Sequence, residues 1–163
     1  MNWTEALGFY EKIKKAVSPA AENGANRMAA RYQDTVKREL DTYPHPPHTR
    51  TPSPAGSFPG KISGDLRDSV TKTPAVDTGA ATWVAYVGPH TIYAHIQEYG
   101  GPMFAHGEYM SWITDGVRYY MKEVWVPERP YMRPAAFRLS KTGELSRVAR
   151  DGIAVVLYAA EGI

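Results

Sequence analysis

The stretch YPHPPHTRTPSPAGSFPG, Tyr43 to Gly60, holds six prolines in eighteen residues and no carboxylate. No other feature limits the fold as much. Proline removes a backbone donor and fixes φ, so this segment can neither continue a helix nor fill the middle of a sheet. It therefore divides the chain into a part before and a part after, and each side has its own periodicity.

Before it the pattern is helical. Asn2 with Glu5 three residues on fits a capping box, and Ser18-Pro19 fits an N-cap followed by proline at the first helical position. Ala21, Ala25, Met28, Ala29, Tyr32, Val36, Leu40 and Tyr43 then recur every three to four residues, which predicts one amphipathic helix ended by Pro44. Beyond the prolines, 65–73 and 81–88 read as strands around the turn signal Asp77-Thr78-Gly79. YMSWIT and VRYYMKEVWV flank Asp115-Gly116, which predicts a type I′ hairpin over 109–126 closed by Pro127 and Pro130. Leu145, Val148, Ala149, Gly152, Ile153, Val156, Ala159 and Ala160 restore helical spacing, with Gly143 a break before it. The order predicts one α+β domain over 1–163. Its N-terminal and C-terminal helices pack on one face of an antiparallel sheet, with 43–60 as an extended arm.

Composition narrows the chemistry. A hydrophobic fraction of 43% and a charged fraction of 22% in 163 residues are ordinary for a globular domain. A net charge of +2 does not argue for nucleic-acid binding, and a chain without cysteine carries no disulfide or thiolate. The opening MNWTEALGFYEKIKK mixes acids with lysines and does not read as a signal peptide. The apolar run 153–160 is far short of the ~20 residues of a membrane helix, so a soluble chain is expected.

Metal and catalytic readings find little support. His45 and His48 are spread along a proline rod, and His90, His95 and His106 are scattered, whereas zinc needs three or four convergent ligands. Ser69, His95 and Glu98 can be assembled into a triad on paper, but no nucleophile elbow, phosphate loop or dinucleotide fingerprint accompanies them. The expectation is no enzyme, no metal and no cofactor. The aromatics gather after residue 80, and Tyr, Trp, Met and Arg together are the composition of a protein interface. Arg50, Phe58, Trp112, Tyr120 and Trp125 are the candidate contact residues.

Three stretches in order, SGDLRDSV (63–70), YAHIQEYGG (93–101) and RPYMRPAAF (129–137), resemble the tail-completion or neck family of tailed bacteriophages. Gly64, Leu66, Ser69 and Val70 match its first block. Tyr93, Ala94, Glu98, Tyr99 and Gly100 match the second, and Arg133, Pro134 and Ala135 after Tyr131 the third. The resemblance spans about 20–160, and the long proline stretch and the aromatic hairpin depart from the family's shorter pattern. It implies a structural virion protein with no chemical step, found in the host cytoplasm during assembly. Its partners would be itself as a ring, a hexamer by the symmetry of tails, together with the head connector or stopper protein and the tail terminator or tail tube protein. DNA would pass through the lumen without sequence-specific contacts, and no membrane is involved. A tail terminator and a nucleic-acid-binding module are the alternatives. The motif residues are expected to be structural, with Gly64 and Gly100 supplying backbone angles or close approach and Glu98 capping or pairing. The proline arm is expected to lie on a neighbouring subunit or on the next ring.

Overall fold

The computed structural model describes residues 3–42, 52–79 and 82–161. Asn2 and Arg50 lie outside the described residues, as do His45, His48 and the N-terminal half of the predicted arm.

Among the described residues the chain is mixed helix and strand, with helices at both ends and small antiparallel sheets between them. Helix α1 runs from Trp3 to Asp41 without interruption, so the two helices expected around Ser18-Pro19 are one. Pro19 removes one i→i−4 bond, but Ala16 and Ala20 on either side of it are buried, which holds both halves on one axis. Their partner is α5 (Glu144–Glu161), which packs along α1. Small residues let the two backbones approach. A Cβ added at Gly152 would lie 3.2 Å from the Cα of Gly24 and 3.3 Å from the carbonyl oxygen of Asn23, whose own Nδ2 donates to the Gly152 carbonyl at 2.7 Å. Gly152→Val is therefore expected to pry the pair apart and lower unfolding free energy by about 1–3 kcal/mol, as read by urea denaturation.

Helix α4 (Met132–Lys141) precedes α5, and Gly143, at φ +66°, makes the break between them. The core joins α1 to α4: Val36, Leu40, Val70, Tyr131 and Ala135 are fully buried, with Tyr32, Phe58, Leu66 and Met132 against them. Polar side chains of α1 fasten the rest. Tyr32 Oη donates to the Met132 carbonyl at 3.0 Å, Gln33 Nε2 to the Val70 carbonyl at 2.9 Å, and the Ala75 N–H donates to Asn26 Oδ1 at 2.9 Å.

Three expectations are corrected. First, 65–69 is a helix, α2 (Asp65–Ser69), and not a strand. Leu66, Ser69 and Val70 stand at i, i+3 and i+4, a helical spacing, and Gly64 at φ 94° turns the chain into it. Second, the sheet is four two-stranded ladders. β1 (Thr71–Lys72) pairs β4 (Val87–Gly88), and β2 (Val76–Asp77) pairs β3 (Trp83–Val84). The two ladders are one hairpin interrupted around Pro74, which has no N–H for the ladder. Third, residues 52–60 do not extend away as a free arm. Phe58 packs on the core, Gly56 N–H donates to the Glu128 carbonyl at 2.9 Å, and Arg129 Nε donates to the Ser53 carbonyl at 2.7 Å. An apolar ring and a buried guanidinium draw this half of the segment onto its own subunit.

Candidate functional site

Residues 93–137 make a hinge, with α3 (Ala94–Tyr99) on one side and α4 on the other. A helix start leaves backbone N–H groups without partners, and these are normally capped by a neighbouring side chain. At α4 the cap comes from another helix. The Glu98 carboxylate, 4% exposed, accepts from the N–H groups of Tyr131 (2.8 Å), Met132 (2.9 Å) and Arg133 (2.9 Å), and from Arg133 Nε (3.1 Å). Pro134 comes next and has no N–H to satisfy, so this first turn leaves no orphan donor. The negative carboxylate also sits where the helix dipole favours it.

Arg133 completes the clasp. Its Nη2 donates to the Glu98 carbonyl (2.7 Å) and to Glu128 Oε2 (2.6 Å), and its guanidinium lies 4.9 Å from the Tyr99 ring centre. The Glu128 hydrogen bond, foremost, holds the Arg133 guanidinium above its ordinary value. Tyr131 is fully buried and Ala94 nearly so, the Tyr131 hydroxyl reaching the Ala94 carbonyl at 3.4 Å. Burial, helped by the nearby Glu98 charge, pushes the Tyr131 phenol up, and the same two causes with Glu39 push Tyr32 up to about 12. Both phenols therefore stay protonated in the folded chain across the neutral range.

Gly100 ends α3 at φ 66°, ψ −172°, a combination open essentially to glycine alone. A Cβ there would lie 2.7 Å from the Glu128 nitrogen and 2.9 Å from the Val126 carbonyl oxygen. The hinge thus brings Ala94, Glu98, Tyr99, Gly100, Arg133, Pro134 and Ala135 together around Tyr131, while Tyr93 starts α3 half-exposed. Leu66 and Val70 join through the core. Gly64 and Ser69 close α2 upon itself, the Asp68 N–H donating to the Gly64 carbonyl (2.9 Å) and Ser69 Oγ to the Leu66 carbonyl (2.7 Å).

From this hinge a two-stranded ribbon leaves. β5 (Gly101–Phe104) pairs β8 (Glu123–Val126), and β6 (Met110–Thr114) pairs β7 (Val117–Met121). Ala105 N–H donates to the Lys122 carbonyl at 2.9 Å, so the ladders are continuous, with 106–109 bulged out. The hairpin expected over 109–126 is thus longer and starts at Gly101. YMSWIT is too short to pair all of VRYYMKEVWV, and Glu123–Val126 takes Gly101–Phe104 as its partner. Asp115 (φ 51°) and Gly116 (φ 78°) both take the positive φ that a type I′ turn demands.

Among the described residues, none covers either face of the β6–β7 ladder. Every described side chain on it is exposed except Met110, which is half-buried. One face carries Met110, Met121, Trp112, Tyr119 and Val117, all uncharged, with Trp112 stacked on Tyr119 at 5.8 Å between ring centres. The other carries Ser111, Tyr120, Ile113 and Arg118. Tyr120 is 62% exposed and Trp125, near the ribbon's root, 70%. Of the candidate contact residues, Trp112, Tyr120 and Trp125 share this ribbon, and Phe58 does not, because it packs on the core. Compared with known proteins, the chain matches no family model, no curated protein and no solved structure.

Other clusters are small. No group of His, Asp and Glu among the described residues has the arrangement to hold a metal. Ser69, His95 and Glu98 are not joined: Ser69 and Glu98 spend their oxygens as described, and the His95 ring packs on Tyr99 at 4.9 Å. No described helix is long and apolar enough to cross a membrane. What sequence reasoning missed was the reach of Glu98 to a helix start 33 residues away; a lone Glu before Tyr-Gly gives no local sign of it.

Proposed function

We propose that this chain is a structural component of a tailed-phage virion, a tail-completion or neck protein that self-associates into a ring between the head connector and the tail tube. One observation carries the reading: an aromatic ribbon whose two faces are exposed among the described residues, held at its root by the hydrogen-bonded Glu98–Arg133 clasp. A two-stranded ribbon alone is marginal in water and is stabilised when a further strand, sheet or helix covers it. Exposed Tyr, Trp and Met on a preorganised ribbon are the residues that dominate protein contacts. A ring uses such an element in a head-to-tail contact, one patch of each subunit meeting a different patch of the next until the rotation closes.

The family resemblance of the 63–70, 93–101 and 129–137 stretches supplies the phage setting, and the hinge supplies a physical reason for these residues to occur together. The uncharged face of Met110, Trp112, Val117, Tyr119 and Met121 favours a protein contact over a groove that tracks phosphates, which would need cations among the rings.

The test is a mixing assay with separately purified heads and tails. Addition of the native protein is expected to restore joining, while a variant with 106–121 replaced by a short Gly-Ser linker folds yet does not join them. Efficient joining by that variant rejects the proposal.

A further inference from the structure

We propose that the uncharged face of one subunit's β6–β7 ribbon seats in an apolar groove of the next subunit, where α1 faces the β3 and β4 strands. The contact presupposes the ring reading above and supplies the second of the two different patches that a head-to-tail ring requires. The groove has a volume of about 410 Å³. It is lined by α1, by residues 83–87, by Ala136 of α4 and by Leu145 of α5. Four of the lining residues, Ala25, Ala29, Ala85 and Ala136, offer only methyl groups, too short to close the space between helix and strands.

Charge, exposure and size favour the ribbon as its occupant. None of the eleven lining side chains is charged, and neither is any of Met110, Trp112, Val117, Tyr119 and Met121 on the ribbon face. Seating one on the other therefore takes no ion out of water, and Arg118 stays in solvent on the opposite face. Both surfaces are open within the subunit: Trp112 is 38% exposed, Tyr119 42%, and Tyr86 in the groove 71%. Among the described residues nothing of the subunit's own covers either surface, and a second copy supplies the cover. The groove falls in the ~300–1,000 Å³ range of pockets that bury drug-sized ligands. The Trp112 and Tyr119 rings, stacked at 5.8 Å between centres, form one insert of that bulk. A second exposed apolar stripe, Trp3, Leu7 and Tyr10 on α1, runs into Lys14 at its next position and would bring a cation to the groove.

The experiment is sedimentation velocity of the full chain in two variants, alone and mixed. The ribbon variant, Trp112→Ser/Tyr119→Ser, keeps the groove, and the groove variant, Ala25→Glu/Tyr86→Glu, keeps the ribbon. Each alone is expected to be monomeric, its contact weakened about thirtyfold or more, the loss typical of a central interface residue. Mixed in equal amounts at the highest concentration reached, they are expected to form a one-to-one dimer and nothing larger, because one sound ribbon meets one sound groove and the remaining ends are both defective. If Ala25→Glu/Tyr86→Glu does not fold, Tyr86→Glu alone, at an exposed ring, takes its place. A native chain that stays monomeric overturns the ring reading itself. A native oligomer beside a groove variant that assembles like it overturns the groove alone, and so does a mixture that forms no dimer. A ribbon variant that assembles where the groove variant does not gives the groove to another occupant, such as the α1 stripe, and also overturns the inference.

Discussion

Replacing Glu98 with alanine lowers the unfolding free energy by about 3–5 kcal/mol, the loss typical when one partner is removed from a buried, hydrogen-bonded charge group. Three backbone N–H groups at the start of α4 lose the acceptor they share, and Arg133 loses one of its two carboxylate partners. Orphaned buried donors each carry a desolvation cost that solvent cannot return. At ~2–4 °C per kcal/mol for a chain of this size, the midpoint of thermal unfolding falls by on the order of 10 °C. Glu98→Gln keeps one acceptor oxygen and is expected to lose less than alanine does. A loss below about 1 kcal/mol for Glu98→Ala would mean that the cap is incidental.

Gly100→Ala produces a loss of similar size by a different route. The new methyl meets backbone on two sides, at 2.7 Å and 2.9 Å, and neither the Glu128 nitrogen nor the Val126 carbonyl can swing aside as a side-chain end would. Backbone strain at this φ and ψ contributes ~1–3 kcal/mol and overpacking a similar amount, so about 3 kcal/mol or more is expected in chemical denaturation. The clash falls where β8 leaves for α4, so the ribbon's root is displaced as well. Gly143→Ala, also at positive φ but with open space around it, is the control and is expected to cost about 1 kcal/mol. Equal losses at the two glycines would show that crowding at Gly100 is unimportant.

These two positions also mark what the sequence made readable. Gly100 stands out as a glycine expected to supply a backbone angle or close approach that a side chain would block, and Asp115-Gly116 stands out because few other pairs accept two positive φ values. Local signals of that kind are legible because the backbone geometry is decided within a few residues. The long-range decisions were not. Pro19 looked like a helix start, and the burial of Ala16 and Ala20 and the packing of α5 along α1, neither of them a local signal, keep α1 unbroken across it. Residues 65–69 looked extended because five residues are too few to show a period clearly, while Gly64 and the burial of Val70 draw them into a helical turn. Glu123–Val126 looked like the end of one hairpin strand, although its partner lies twenty residues back at Gly101–Phe104. At the candidate site the residue types of the ribbon were plain. The bareness of both its faces and the docking of Phe58 on the core depend on tertiary contacts that no local pattern encodes.

Self-association through the ribbon is tested most directly by sedimentation velocity of the native chain beside Trp112→Ser/Tyr120→Ser/Trp125→Ser. All three side chains are exposed, so the triple variant is expected to unfold at the native temperature within a few degrees. Central aromatic contacts of this kind contribute about 2 kcal/mol or more each, enough for the variant to sediment as a monomer where the native chain sediments as a closed oligomer. A native chain that stays monomeric at every concentration reached, or a triple variant that assembles like the native one, would contradict it.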